Sequence, residues 1–221
     1  QNAELTAKGE PRARVAFEGL KTLWLNTGTL CNITCAHCYI ESSPSNDRLS
    51  YLTLEDATPF LDELGAPIEI GFTGGEPFLN PHMGDLLEQA LARGHRALRA
   101  RYGNRLILRI SLDAPEPELH DGERGVGAFA ETVSGTDWLV RNGIRMAIAG
   151  RLWGRPEAER RAAYAALFAA RAWPIDAADP AALVLFPEMD ETVDVPEITT
   201  ACWGILNKSP SDVMCASSRM V

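Results

Sequence analysis

Three cysteines within eight residues carry the most distinctive chemistry of this sequence. Cys31, Cys35 and Cys38 follow a C-x₃-C-x₂-C pattern. Most iron–sulfur clusters are held by four cysteine thiolates, so three thiolates can bind three irons of a cubane and leave the fourth iron without a protein ligand. An open metal position is where a small molecule can coordinate and react. The spacing therefore predicts a reactive iron–sulfur site.

A structural zinc loop, or a group of buried thiols, is the alternative interpretation of these cysteines. Structural zinc usually combines a short cysteine pair with a second, distant pair or with histidines. His37, Cys202 and Cys215 could be assigned that role. The cysteines alone leave both interpretations open.

A second motif, Gly74-Gly75-Glu76-Pro77, follows a predicted strand at residues 68–72. Glycines let a backbone approach a ligand closely, and a carboxylate can accept charge-assisted hydrogen bonds from an ammonium group. Taken alone, the segment is also a plain turn between a strand and a helix. Its position after an upstream cysteine triplet favours the ligand-binding interpretation.

Together, the cysteine triplet and the Gly-Gly-Glu-Pro motif resemble those of the radical S-adenosylmethionine (radical SAM) enzymes, over about residues 23–186. The resemblance implies that Cys31, Cys35 and Cys38 ligate a [4Fe–4S] cluster whose fourth iron chelates the amino and carboxylate groups of S-adenosylmethionine. An electron, from a donor such as flavodoxin or ferredoxin, then cleaves the sulfonium bond and gives methionine and a 5′-deoxyadenosyl radical. That radical abstracts a hydrogen atom from the substrate.

The resemblance also implies where S-adenosylmethionine is bound. Gly74, Gly75 and Glu76 receive its methionine moiety, and His37, which precedes the last cysteine, lies beside its adenine. His37 as a plain loop histidine is the alternative.

A third region, Ser-x-Asp…His-Asp-x-x-Arg-Gly, is similar to the fourth-strand region of the family branch with a C-terminal SPASM or twitch domain, which often carries extra clusters. That likeness implies that Ser111 or Asp113 contacts the ribose and that Arg124 meets the carboxylate of S-adenosylmethionine. Ala114 stands where the family usually has glycine, which loosens the match. Turn and cap chemistry for Ser111 and Asp113, and a surface position for Arg124, are the alternatives.

Cys202 and Cys215 lie beyond the predicted barrel. In the extra-cluster branch, further cysteines bind auxiliary iron–sulfur clusters, beginning with a Cys…Gly-x₄-Cys element that neither cysteine matches. Two thiolates cannot hold a cubane alone. They are either buried, hydrophobe-like thiols or the first ligands of an auxiliary cluster.

Strand-like and helix-like segments alternate, which predicts an α/β fold with a parallel sheet. Strands are predicted at residues 23–26, 68–72, 106–112, 144–149 and 182–186. Thr53 and Asp56 predict a capping box for the first helix, and Asn80 with Pro81 predicts the start of the second. The family resemblance implies a partial TIM barrel, (β/α)₆, over residues 1–187, with an incomplete C-terminal extension over 188–221.

The third βα unit is incomplete near residues 95–104. A strand could lie at 95–98, but residues 99–104 are too few for a parallel crossover, which needs at least ~10–12 residues. Either residues are missing between Leu98 and Arg99, or the barrel has five strands and residues 95–104 form a loop.

Composition limits the classes of partner. The chain has 221 residues and a net charge of −9, which disfavours nucleic acid because a phosphate-backbone binder needs a basic surface. No apolar run approaches the ~20 residues of a membrane span. Five cysteines, three in one loop, do not form a secreted disulfide framework and fit a reducing cytoplasm.

The predicted function is radical SAM catalysis that begins with hydrogen-atom abstraction. A peptide, modified during natural-product maturation, is the leading substrate class, on the strength of the likeness to the extra-cluster branch. A small metabolite such as a sugar or nucleoside is the first alternative. A non-catalytic iron–sulfur or zinc-binding module is the alternative of another class, although it gives Gly74-Gly75-Glu76 no purpose.

Overall fold

The computed structural model describes residues 2–66, 68–93, 107–188, 190, 192–194 and 196–221. Within them, parallel strands alternate with helices along most of the chain. The strands are β1 (Thr22–Asn26), β2 (Glu69–Thr73), β3 (Leu108–Ser111), β4 (Met146–Arg151), β5 (Leu183–Phe186) and β6 (Ser218–Met220). The helices are α1 (Leu54–Asp62), α2 (Met83–Ala92), α3 (Pro117–Arg124), α4 (Ala128–Arg141), α5 (Glu157–Ala170) and α6 (Cys202–Leu206). The predicted α/β class with parallel pairing is confirmed.

The strands form two three-stranded parallel sheets, in the orders β2-β1-β6 and β3-β4-β5. In the first sheet Asn26, the last residue of β1, pairs with Thr73, the last residue of β2. The segments that follow these two strands therefore start side by side. Those segments contain the cysteine triplet and the Gly-Gly-Glu-Pro motif.

Each sheet buries an apolar face against its own helices. Alternate residues of β1 point the same way, so Leu23 and Leu25 are both buried against α1 and α2. The core of the first sheet consists of Leu23, Leu25, Ala57, Leu61, Ile70, Leu86 and Ala90. The core of the second sheet consists of Leu112, Val133, Ile148, Tyr164, Phe168, Trp173, Ala177 and Leu183. Both cores hold the strands rigid below the loops at their carboxyl ends.

The two helix starts predicted from the sequence have different outcomes. The capping box of α1 is confirmed, with Thr53 and Asp56 bonding to each other's backbone N–H groups. The prediction for α2 is wrong, because this helix begins at Met83 and not directly after Asn80. Asn80 is instead buried, and its amide donates to the carbonyls of Thr27 (3.2 Å) and Leu52 (2.9 Å), which lie at the two ends of the cysteine-containing loop.

Three described elements were absent from the sequence prediction, and the first is the short helix α6 (Cys202–Leu206). Of the other two, one is α3, and the other is β6, a three-residue strand within 188–221 that pairs in parallel with β1. The predicted strand at 95–98 and the predicted gap between Leu98 and Arg99 lie outside the described residues. Across the described ranges, every helix is too short or too polar to span a bilayer.

Candidate active site

The cysteine loop, defined as residues 27–53 between β1 and α1, is closed at its base. Thr27 N donates to the Thr73 carbonyl at 2.8 Å, and Leu52 N donates to the Thr27 carbonyl at 3.5 Å. Thr29 N donates to the Leu49 carbonyl at 3.2 Å. These bonds bring the two ends of the loop together. The cysteines therefore lie on a closed loop that follows the carboxyl end of β1.

The Gly-Gly-Glu-Pro turn interlocks with the first part of this loop. Gly75 N donates to the Gly28 carbonyl (2.9 Å), and Glu76 N donates to the Leu30 carbonyl (3.1 Å). A Cβ atom on Gly75 would lie only 2.1 Å from the Leu30 carbonyl oxygen, and Gly74 has φ +129° with a carbonyl 2.6 Å from its Cβ position. The glycines are therefore required by the close approach of two backbones, in addition to the ligand contact that the motif predicts.

Glu76 lies at the end of this interlock. Its carboxylate Oε1 accepts a hydrogen bond from Phe78 N at 3.0 Å, which caps the short helical turn Pro77–Leu79. This bond fixes the direction of the side chain at the carboxyl end of β2. The second carboxylate oxygen of Glu76 has no hydrogen-bond partner among the described residues that would compete with the predicted ammonium contact.

The three thiols lie near enough to influence one another. Burial raises the pKa of the Cys35 thiol, the Arg124 guanidinium lowers it, and the neighbouring Cys38 and Cys31 thiols raise it further. The Cys38 thiol also accepts a hydrogen bond from Ser42 N at 3.2 Å. A cubane takes each thiolate on a different iron, so this set of three neighbouring thiols beside a cation fits such a cluster.

A single metal ion places a stricter demand on geometry than a cubane. Within the part of the chain that the structure describes, no three or more His, Cys, Asp or Glu side chains surround one point as the ligands of one ion must. The case for a cluster at the three cysteines therefore rests on their spacing and on their proximity to one another.

Asp113 and Arg124 form an ion pair that faces the cysteine loop. Arg124 Nε donates to Asp113 Oδ2, its Nη2 lies 3.4 Å from Asp113 Oδ1, and its Nη1 lies 3.7 Å from the Cys35 sulfur. Asp113 is buried, and its carboxylate pairs with Arg124. The structure brings the predicted residues Asp113 and Arg124 together with the predicted cluster ligand Cys35.

The backbone of Asp113 is held from two sides. Its N–H donates to Nδ1 of the fully buried His120 at 3.1 Å, and its carbonyl accepts from the Trp153 indole at 2.9 Å. Burial lowers the pKa of His120, which favours the neutral ring that can accept this bond. Asp113 is therefore fixed before any ligand binds.

Glu123 is the site residue that the sequence analysis missed. Its carboxylate accepts from His37 Nδ1 at 2.9 Å and pairs with Arg151 Nη1 at 3.2 Å, while its backbone carbonyl accepts from Ala36 N at 2.9 Å. A prediction of α3 could have found it, because positions 120, 123 and 124 share one helix face. His37 is thereby placed against Glu123, with its side chain 64% exposed.

Arg151, the last residue of β4, and Trp153, two residues later, lie at the edge of the site next to β4. The Arg151 guanidinium carbon lies 5.6 Å from the centre of the Trp153 ring, within the range of a cation–π contact. Trp153 has the left-handed backbone value φ +54°, and the Glu188 carboxylate accepts from Trp153 N (2.7 Å) and Gly154 N (3.0 Å). These bonds hold a strained turn beside Asp113.

The remaining predicted residues are spread more widely. Ser111 is the exposed last residue of β3, directly before the site. Cys202 begins α6, where its sulfur accepts from Thr199 N at 3.4 Å, and Cys215 is exposed in the short helical turn Met214–Ala216. Neither has a described contact with Cys31, Cys35 or Cys38.

Comparison with known proteins shows which protein family and which fold this chain resembles. The Radical SAM superfamily model matches residues 25–102. The antilisterial bacteriocin subtilosin biosynthesis protein AlbA of Bacillus subtilis is 31% identical over 137 residues, which cover 54% of this chain and 30% of that protein. An AdoMet-dependent heme synthase of Oleidesulfovibrio alaskensis is 32% identical over 136 residues, which cover 53% of this chain and 34% of that protein. The chain thus spans about a third of the length of these relatives.

Two solved structures share the fold at low sequence identity. Streptococcus suis SuiB bound to S-adenosylmethionine has a TM-score of 0.58 at 12% identity, covering 93% of this chain and 51% of that one. The protein anSMEcpe, with bound AdoMet and the Cp18Cys peptide, has a TM-score of 0.56 at 14% identity, covering 78% of this chain and 52% of that one. Radical SAM enzymes use a [4Fe–4S] cluster and S-adenosylmethionine, and the Cys31–Cys38 spacing and the interlocked Gly-Gly-Glu-Pro turn agree with both. Residues 25–102 therefore contain a match to the radical SAM superfamily, and the chain resembles the branch of that superfamily with SPASM or twitch domains.

Proposed function

We propose that this chain forms the core of a radical SAM enzyme that abstracts a hydrogen atom from its substrate. In this proposal Cys31, Cys35 and Cys38 bind a [4Fe–4S] cluster, and the two parallel sheets are parts of one partial (β/α)₆ barrel. Residues 1–187 make up that core, and 188–221 form a C-terminal extension that starts an auxiliary-cluster domain. The enzyme works in a reducing compartment such as the cytoplasm.

One observation carries the proposal. The cysteine loop is bonded on one side to the Gly-Gly-Glu-Pro turn, through Gly75 N and Glu76 N, and is approached on the other side by the Asp113–Arg124 pair. A binding module for a cluster alone has no need for a fixed carboxylate and a buried ion pair around its ligands. A site for a zwitterionic ligand with a ribose needs both.

The chain's own residues bind and orient the cofactor. When bound, the reduced cluster supplies the electron that cleaves S-adenosylmethionine and starts hydrogen abstraction. Glu76 accepts hydrogen bonds from the ammonium group, and Asp113, with Ser111 beside it, accepts from the ribose hydroxyls. Arg124 has five N–H donors, enough to hold Asp113 and a ligand carboxylate together. His37 lies beside the adenine.

A peptide is the substrate class that we favour. AlbA is a bacteriocin biosynthesis protein, and anSMEcpe was solved with a bound peptide. The resemblance to the extra-cluster branch supports the same class. A flavodoxin or ferredoxin would deliver the electron.

A small molecule is the second candidate, because a heme synthase matches this chain as well as AlbA does. Substrate screening separates the two classes. Deuterium from a labelled peptide would appear in 5′-deoxyadenosine in the first case, and deuterium from a labelled metabolite would appear in the second.

Anaerobic reconstitution tests the proposed class directly. We expect about four irons per cluster, absorption near ~400 nm, and 5′-deoxyadenosine formation when dithionite is added. A colourless protein that takes up zinc and forms no 5′-deoxyadenosine would instead support the non-catalytic module.

Replacing Glu76 by glutamine should weaken S-adenosylmethionine binding at an intact cluster. Glutamine keeps the acceptor for Phe78 N but loses the charge that an ammonium group requires. A hydrogen bond to a charged group contributes about 1.5–3 kcal/mol, so affinity should fall at least about tenfold. Calorimetric titration measures this change, and the iron content is the control. Unchanged affinity would make Glu76 only the cap of its helical turn.

Replacing Cys202 or Cys215 by alanine tests the predicted auxiliary ligands. We expect lower iron content in the full-length protein while basal S-adenosylmethionine cleavage continues, because neither thiol has a described contact with the cysteine loop. Iron and acid-labile sulfide assays measure the loss. An unchanged content in both variants would identify them as ordinary thiols and would weaken the peptide assignment.

A further inference from the structure

Glu123 connects α3 to the middle of the cysteine loop by two separate bonds. Its backbone carbonyl accepts from Ala36 N, and its carboxylate accepts from the His37 ring, both at 2.9 Å. Ala36 and His37 lie between Cys35 and Cys38. One residue of α3 therefore holds the segment that carries two of the three predicted cluster ligands.

The loop is held differently on its two sides. The first side, at Gly28 and Leu30, is fixed by the backbone of the Gly-Gly-Glu-Pro turn, which needs no side chain. The second side is held by one backbone bond, from Ala36 N to the Glu123 carbonyl, and by one side-chain bond, from the His37 ring to the Glu123 carboxylate. The loss of the carboxylate should therefore remove one of these two bonds, loosen the second side and leave the first side intact.

The Glu123 carboxylate also gives Arg151 an acidic partner other than Asp113, which pairs with Arg124. Arg151 lies 3.2 Å from Glu123 and 3.9 Å from Asp113, while Asp113 is the partner of Arg124. The Glu123 side chain is 10% exposed, and a carboxylate this buried needs a partner charge. Without Glu123, Arg151 would keep Asp113 and Glu188 as nearby acidic groups and would compete with Arg124 for Asp113.

We propose that Glu123 is a positioning residue that docks segment 35–38 of the cysteine loop onto α3 and reserves Asp113 for Arg124. The consequence for the cluster rests on the proposed function, since it assumes that the docked thiols are its ligands. The docking itself does not depend on that assumption. Glu123 contacts no reacting atom and acts through His37 and Arg151.

The first test uses the protein without a cluster. In Glu123→Ala, the Ala36 amide, which donates to the Glu123 carbonyl, should exchange with deuterium about tenfold faster, while α3, α4 and the first side of the loop keep their protection. Glu123→Gln keeps an acceptor for His37 and should restore most of the protection of this amide. Glu118→Gln is the matched control, because Glu118 is exposed on the same helix, and it should match the wild type.

The second test uses the reconstituted protein. An iron chelator should remove the cluster about tenfold faster from Glu123→Ala than from the wild type and from Glu118→Gln. Glu123→Gln should lie between them, because it retains the bond to His37 and loses the charge that Arg151 requires. The spectrum of the reduced cluster with S-adenosylmethionine should also shift in Glu123→Gln, through the disturbed Asp113–Arg124 pair.

Wild-type exchange of the Ala36 amide in Glu123→Ala would overturn the proposal, and so would equal acceleration along the whole chain, which indicates general destabilisation. If Glu123→Ala does not fold, His37→Ala breaks the same bond from the exposed side. It should accelerate exchange of the Ala36 amide, and no acceleration would again overturn the docking. Absence of a cluster in the wild type would count against the proposed function, while the exchange result would still decide the docking.

Discussion

Alanine at any one of Cys31, Cys35 and Cys38 is expected to abolish cluster assembly and S-adenosylmethionine cleavage together. With three thiolates, each binding one iron, the loss of one leaves two ligands, too few to hold a cubane. The three thiols are neighbours on one closed loop, and no described contact brings Cys202 or Cys215 to it. Iron content, visible absorption and 5′-deoxyadenosine formation under dithionite measure the effect.

Cys202→Ala is the matched control for these variants and should continue to cleave S-adenosylmethionine. The prediction separates a catalytic cluster from a general role of thiols in folding, since the apo forms of all variants should keep the wild-type circular dichroism. Cofactor cleavage by a variant that lacks all three cysteines would contradict the assignment.

Gly75→Ala should have the second-largest effect, although it adds only one methyl group. The new Cβ would lie 2.1 Å from the Leu30 carbonyl oxygen. The atoms that it would meet belong to the backbone of the cysteine loop, so the loop itself has to move. Overpacking of this kind costs about 1–3 kcal/mol. We expect a lower thermal midpoint of the apo protein and a large loss of iron after reconstitution.

Gly84→Ala provides the comparison for this variant. Gly84 lies in α2, and nothing lies within 4 Å of its Cβ position. Alanine there should be neutral or stabilising by up to about 1 kcal/mol, because it favours the helix. Equal behaviour of the two variants would show that the contact between Gly75 and Leu30 is unimportant.

Features that depend on neighbouring residues were predictable from the sequence. The capping box of α1 needs only Thr53 and Asp56, and it was correctly predicted. The cysteine triplet and the Gly-Gly-Glu-Pro motif are equally local, and both follow strands whose carboxyl ends are adjacent. Local spacing was therefore enough to indicate the family likeness and to select the two segments that form the candidate site.

Features that depend on distant partners were not predictable in the same way. Glu123 meets His37 across 86 positions of the chain, and nothing in the residues beside it indicates that partner. Asn80 has the sequence of a helix cap, but its amide is used by carbonyls of the cysteine loop. The three residues of β6 are too few for a periodic pattern, and their pairing with β1 makes them a strand.

At Trp153, the residue type that would best stabilise the left-handed turn differs from the residue type that best orders the site. Its backbone conformation costs a residue other than glycine about 1–3 kcal/mol, and glycine would remove that cost. Glycine would also remove the indole that donates to the Asp113 carbonyl and lies against Arg151. The most stable residue for this turn is thus not the one that best orders the site, which makes position 153 a local case of the trade-off between stability and activity.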